Sequence, residues 1–259
     1  MKTIIFMNQK GGVAKTTSTI NVSANLAKMG YKTLMVDLDP QASLTIINGY
    51  NDLSQFETTN IKELLQPTDP KHPISIEECI FPVPSNENLF LITSDIILAT
   101  SELSLYTSLK GEETLKRLLK KVPDDFDYVC IDCPPSFGML SINAIIAADL
   151  IIGCVEPAYM AVRALQHMIQ SIDNISEVYE RAFNFGGIIV GKIGRGNEVD
   201  GWLDALRTNY NVLGEIKNLV ATTKKEYEGI PISIDKPSSY NGREFYDITQ
   251  KIIDLVKEV

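Results

Sequence analysis

Nine consecutive residues near the amino terminus, Gln9-Lys10-Gly11-Gly12-Val13-Ala14-Lys15-Thr16-Thr17, place two lysines and two hydroxyls around a glycine turn. Glycines let successive backbone N–H groups turn inward around an anion. A helix starting at Thr16 would add its free N–H groups and the positive end of its dipole. Lys15 is then placed to meet the β- and γ-phosphates of a nucleotide, and the Thr16 hydroxyl is a hard oxygen ligand for Mg²⁺. The strict phosphate-loop spacing G-x-x-x-x-G-K-[ST] is departed from at both glycines, which are replaced by Gln9 and Ala14. If position 14 needs a left-handed backbone, alanine is strained there by roughly 1–2 kcal/mol.

Two further sets of carboxylates follow. Val36-Asp37-Leu38-Asp39-Pro40-Gln41 closes an apolar run, and side chains alternate along a strand, so Asp37 and Asp39 point the same way. One of them could hold a metal's water shell while the other polarises an attacking water. Val129-Cys130-Ile131-Asp132-Cys133-Pro134-Pro135 is an apolar run ending in an acid, the arrangement that anchors Mg²⁺ beside bound phosphates.

These groups need a scaffold that brings several loops to one edge. Short apolar runs at 3–8, 33–39, 89–93, 128–133, 150–156, 186–193 and, more weakly, 212–217 alternate with helical patterns near 16–29, 96–106, 112–121, 138–148, 160–180, 199–209 and 244–258. The alternation predicts βαβ units, and the continuous apolar runs predict strands covered on both faces. The fold class is therefore α/β, with a mostly parallel central sheet and helices on both faces; joined to the phosphate-loop sequence, it resembles a P-loop NTPase architecture. Ligands in such folds bind outside the carboxyl ends of the strands, where the loop, Asp37, Asp39 and Asp132 all fall. Segment 48–88 reads as loop with a short helix near 60–66. No linker is visible, so residues 1–259 are read as one domain.

Composition narrows the functional classes. The chain has 259 residues, 44% hydrophobic and 22% charged, which excludes disorder and fibrous repeats. No apolar run reaches the roughly 18 residues of a membrane span, and MKTIIFMNQ turns polar too soon for a signal peptide, so the expected location is cytoplasmic. With 24 basic and 33 acidic residues the net charge is −9, so the chain is no general polyanion binder. Residues 1–191 carry 14 basic and 22 acidic side chains, net −8, and residues 192–259 carry 10 and 11, net −1. Any nucleic-acid contact sits more easily on that last quarter. Cys79, Cys130, Cys133 and Cys154 read as buried thiols, because the C-x-x-C pair lies in an apolar run without a second pair or a nearby histidine to complete a metal site. His72 and His167 stand alone.

The three motifs together resemble the ParA/MinD group of ATPases with deviant Walker motifs, and most of all the small ParA (Soj-type) partition proteins. The signature K-G-G-x-G-K-[ST]-[ST] is met by Lys10 to Thr17 except at Ala14, D-L-D-P-Q by Asp37 to Gln41, and I-D-C-P-P by Ile131 to Pro135. Looser similarity continues through Ser141-Ile142-Asn143-Ala144, Ala148-Asp149 and Gly229-Ile230-Pro231-Ile232 into the terminal helix, so it covers nearly the whole chain. The resemblance implies an ATP- and Mg²⁺-dependent ATPase that forms a sandwich homodimer around two nucleotides. Lys10 would reach across to the partner's phosphates, where a cation in trans relieves the repulsion between two anions. Residues Gly11, Gly12, Val13, Ala14, Lys15, Thr16 and Thr17 would bind the nucleotide, Thr17 at the α-phosphate. Asp39 would orient the attacking water, Asp132 would hold the metal, and Asp37 would support them.

The resemblance further implies plasmid or chromosome partition, non-specific DNA binding by the ATP dimer, and slow hydrolysis stimulated by a ParB-like centromere-binding partner. The chain opens directly on its first strand, so no N-terminal helix-turn-helix domain is expected. The family's P-R-N-x-R segment is replaced by Ile216-Lys217-Asn218-Leu219-Val220-Ala221. Arg195, Lys217, Lys224, Lys225 and Arg243 are the cations available to replace its arginines, with nucleoid association to follow. A MinD-like membrane role would instead use the terminal helix, whose apolar positions 248, 252, 255, 256 and 259 form one stripe. Its polar face offers only Lys251 and Lys257, too few cations for an anionic lipid surface, so packing against the sheet is expected. Positioning of a cargo other than DNA, and a switch that binds nucleotide without hydrolysing it, complete the alternatives.

Overall fold

The computed structural model describes residues 1–218 and 230–258. Its centre is an eight-stranded sheet in the order β3-β4-β2-β5-β1-β6-β7-β8. The strands are β1 (Lys2–Met7), β2 (Thr33–Asp37), β3 (Phe81–Pro82), β4 (Leu89–Ile92), β5 (Tyr128–Asp132), β6 (Leu150–Val155), β7 (Phe185–Ile193) and β8 (Val212–Lys217). All pairings are parallel except β3 with β4. Every residue of β2, β5 and β6 is buried, as continuous apolar strands require when both faces are covered. Seven of the strands occupy the predicted runs. The two-residue β3 was not predicted, because a pair of residues carries no periodicity to read.

Helix α1 (Lys15–Lys28) begins inside the phosphate-loop sequence and packs on β1, β2 and β5. Its buried asparagines tie it to the end of the chain. Asn21 Oδ1 accepts from both the backbone N–H and the hydroxyl of Ser233, at 3.0 and 2.9 Å. The C-terminal helix (Tyr240–Lys257) starts four residues earlier than the apolar pattern suggested, since the Ser239 hydroxyl caps it by accepting from the Gly242 N–H at 3.1 Å. Phe245, Ile248, Ile252, Ile253 and Val256 of this helix are buried against α1 and β8. Of the stripe that a membrane helix would have presented outward, Ile248, Ile252 and Val256 belong to the core and Leu255 packs partly buried against it, while Val259 lies outside the described residues. Among the described residues no helix is long and apolar enough to cross a membrane.

Segment 48–88 contains the expected short helix, Ile61–Leu65, with Asn60 Oδ1 accepting from the Glu63 N–H. A further short helix, α2 (Ser43–Ile47), follows β2. All four cysteines are free and buried, and burial pushes the Cys130 thiol up to about 12. His72 and His167 are exposed.

Candidate functional site

Strand β1 lies between β5 and β6, so the chain leaves it toward one half of the sheet and returns on the other. This is the switch point at which open α/β sheets form a crevice. The loop after β1 opens into it, as do the turn after β2 and the ends of β5, β7 and β8. The cleft is lined by Gly11, Gly12, Ala14, Lys15, Thr16, Thr17, Asp39, Pro135, Lys192 and Asn218 and holds about 610 Å³.

Each residue of the loop has a distinct place. Val13 is buried in the core and anchors the turn. Gly12 and Ala14 both take left-handed backbone, at φ 73° and φ 69°. The strain expected for alanine at position 14 is therefore present, and Ala14 still nucleates the helix, its carbonyl accepting from the Ser18 N–H at 2.9 Å. Lys15 is 6% exposed, and its ammonium donates to the Lys10 carbonyl at 3.3 Å. Among the described residues that neutral carbonyl is its one hydrogen-bond partner, so the ammonium keeps N–H donors with which to meet an anion. The Thr16 hydroxyl donates to Asp132 Oδ2 at 2.6 Å.

The carboxylates divide into two kinds. Asp132 ends β5 and is buried beside Asp37, its register partner. Burial, reinforced by the charge of Asp37, pushes the Asp132 carboxyl well above the usual range. Its Oδ1 is buried and has no hydrogen-bond partner among the described residues. An orphaned carboxylate oxygen next to a threonine hydroxyl fits a hard cation such as Mg²⁺. No group of three or more His, Cys, Asp or Glu side chains suited to a metal occurs among the described residues. A metal here would thus draw on Thr16, Asp132, phosphate oxygens and water.

Asp37 faces the protein. Its Oδ2 accepts from the Thr45 N–H and hydroxyl, both at 2.8 Å, and its Oδ1 accepts from the Asp39 N–H at 3.2 Å. The side chain expected to share the metal shell thus has both oxygens engaged in fixing the turn that carries Asp39 and the start of α2. Asp39 itself lines the cleft. The turn is held by Leu38 N–H to the Asp132 carbonyl at 3.0 Å and by the Ser94 hydroxyl to the Asp39 carbonyl at 2.9 Å. Asp39 Oδ1 accepts from the Gln41 N–H at 2.9 Å.

Lys10 departs from the cleft. Its ammonium forms an ion pair with Glu156, just beyond β6. Motif reading passed over Glu156, because nothing in the local sequence ties it to a loop 146 residues away. Lys192 and Asn218 were also missed. The glycine-rich stretch Gly191-Lys192-Ile193-Gly194-Arg195-Gly196 after an apolar run was the available signal.

The candidate DNA cations are dispersed. Arg195 lies in the loop after β7 and is exposed. Lys217 sits with its ammonium 3.9 Å over the Tyr240 ring, and its backbone is bonded to the Asn241 side chain at 3.1 and 3.0 Å. Arg243 is exposed one turn further along the same helix. Lys224 and Lys225 lie outside the described residues.

Comparison with known proteins agrees with this geometry. The AAA domain family matches residues 1–185. The chromosome-partitioning ATPase Soj of Treponema pallidum is 35% identical over 192 residues, covering 72% of this chain and 70% of Soj. The sporulation initiation inhibitor protein Soj of Bacillus subtilis is 31% identical over 277 residues, covering 100% of this chain and 98% of that protein. Among solved structures, cobyrinic acid a,c-diamide synthase from Mycobacterium smegmatis with bound ATP analogue and magnesium superposes with a TM-score of 0.79 at 26% identity, covering 99% of this chain and 96% of the other.

Proposed function

Since this chain belongs to the ParA/MinD group of P-loop ATPases, we propose that it is a partition ATPase working as a nucleotide-gated homodimer. ATP binds against residues 10–17, two protomers close face to face, and the dimer holds DNA without sequence preference until hydrolysis releases it. A ParB-like centromere-binding protein accelerates that hydrolysis. Residues 1–259 act as one ATPase domain, in the cytoplasm and on the nucleoid. The observation that carries the reading is the under-satisfied Lys15 ammonium beside the Thr16–Asp132 pair, at the mouth of a glycine turn.

Placement in the cleft supports the following roles. Lys15 and the backbone N–H groups of Gly11 to Thr17 balance the phosphate charge, and Thr17 serves the α-phosphate. Thr16 and Asp132 would hold Mg²⁺, which when bound would neutralise phosphate charge. Asp39 orients the attacking water, and Asp37 keeps Asp39 in place by accepting from its N–H, with Thr45 holding the other Asp37 oxygen. Phosphoryl transfer relies on positioning and charge more than on a strong base, and slow turnover suits a timer. DNA contact falls to Arg195, Lys217, Lys224, Lys225 and Arg243. Two copies of a weak patch gain affinity through dimerisation.

Lys10 has one role in the free chain and another in the dimer. Paired with Glu156 it is held within its own protomer, and to serve a partner's phosphates it must leave. The pair is partly exposed, at 34% and 23% for its side chains, so it contributes no more than about 1 kcal/mol. Glu156→Gln should therefore tighten the ATP-dependent dimer by about two- to fivefold, the factor that energy allows. Sedimentation equilibrium with ATP checks this, and a weaker dimer would contradict it. Asp132→Asn should raise the Mg²⁺ concentration for half-maximal hydrolysis by about 10–100-fold, read from a magnesium titration of the ATPase rate.

The decisive experiment compares oligomeric state by light scattering with ATP and with ADP, for the wild type and Lys10→Ala. Wild type should dimerise with ATP alone, and Lys10→Ala should remain monomeric. Equal behaviour in all four samples would remove the trans-lysine mechanism. Gel retardation of random duplex at low salt tests the DNA branch. Binding should require ATP and fall steeply with salt, and its absence would reject that branch alone.

A further inference from the structure

Three departures from regular structure meet at one point of the cleft. Ala14 replaces the glycine of the signature and keeps its left-handed backbone. On the facing strand, the β7–β8 register shifts between Val190 and Ile193, so Gly191 and Lys192 form a bulge, and Lys192 takes φ 55°. A Cβ on Gly191 would lie 2.7 Å from the Ala14 Cβ and 3.4 Å from the Val13 carbonyl oxygen. Carbon atoms rest at about 3.5–4.0 Å, so a single methyl fits between the loop and β7, and the loop supplies it. One residue on, the bulge carries Lys192 toward Gly12, where a Cβ would lie 3.5 Å from the Lys192 ammonium. That ammonium has no ion pair or hydrogen bond among the described residues, and it lines the same cleft as Lys15, Thr16 and Thr17. Bulges re-aim side chains, and left-handed non-glycine backbone persists where surrounding structure imposes it.

Sheet order gives the bulge an orientation. Asp39 follows β2 and Asp132 ends β5, both on one side of β1, while Lys192 ends β7 on the other. A triphosphate whose terminal group meets Thr16, Asp132 and Asp39 must send its sugar end toward β7. We propose that the Gly191–Lys192 bulge is a second wall of the nucleotide site. Gly191 is a positioning residue that seats Ala14 and so sets the loop's shape. Lys192 is a nucleotide-binding cation serving the α-phosphate and sugar end. The proposal rests on the phosphate-loop reading above and assigns that loop a partner strand.

Two sets of variants test it, with ATP and ADP affinities measured by isothermal titration. Gly191→Ala should weaken both nucleotides at least tenfold, and Gly191→Ala combined with Ala14→Gly should recover to within about threefold of wild type, because the second change removes the clashing methyl. Gly191→Ala that binds normally, or a defect that Ala14→Gly does not relieve, would overturn the positioning role. Lys192→Ala alters an exposed side chain and should fold, which circular dichroism verifies. It should weaken ATP and ADP by the same factor, five- to thirtyfold. No change, or a loss confined to ATP, would overturn the assignment to the sugar end. If the wild type binds no nucleotide, the phosphate-loop reading falls and this inference falls with it; if the wild type binds and Lys192→Ala and Gly191→Ala bind equally well, only this inference falls.

Discussion

Lys15→Ala should lose ATP affinity by about 30- to 4,000-fold, the range that follows from 2–5 kcal/mol for truncating one partner of a buried charge pair. The side chain is buried and, among the described residues, donates only to the Lys10 carbonyl. Bound phosphate oxygens would face that loop without its buried cation. Thermal melts separate this from misfolding. The nucleotide-free variant should melt no lower than wild type, because an incompletely satisfied buried ammonium has been removed. Added ATP should then raise the melting temperature of wild type alone. Titration showing affinity within threefold of wild type would mean that the nucleotide does not sit on this loop.

Asp39→Ala should separate binding from hydrolysis. A group that positions or deprotonates an attacking water contributes about 10²–10⁴-fold to rate, so turnover should fall by that factor while ATP affinity stays within threefold. The ATP-bound dimer should accumulate, seen as a species that persists after excess nucleotide is removed. Asp39→Asn is the informative companion. It keeps an acceptor for the Gln41 N–H and so preserves the turn while removing the charge. Equal loss in both variants assigns the effect to the carboxylate; hydrolysis within fivefold of wild type in Asp39→Ala would refute the water-orienting role.

The positions of these residues in the fold were legible in the sequence to different degrees. Lys15 and Thr16 are legible because a strand, a glycine turn and a helix start are contiguous, and their chemistry depends on neighbours a few residues away. Asp39 and Asp132 are legible because each ends an apolar run, and parallel strands deliver their carboxyl ends to one edge. Asp37 shows the limit. Alternation placed it beside Asp39 on one face, yet its carboxylate is taken up by Thr45, eight residues on. The capping serine of the terminal helix was present in the sequence but weaker than the apolar pattern four residues later.

By itself the amino-acid order determined the sheet's parallel character, the phosphate loop, the acids at the strand ends and the family. All of these are local patterns, or regularities that repeat along the chain. Tertiary structure alone decided that Glu156 holds Lys10, that Lys192 approaches Gly12, and that Gly191 makes room for the Ala14 methyl. Each of these joins residues more than 140 positions apart. Such contacts are set by strand order and by a one-residue shift in register, and neither leaves a periodic trace in the sequence.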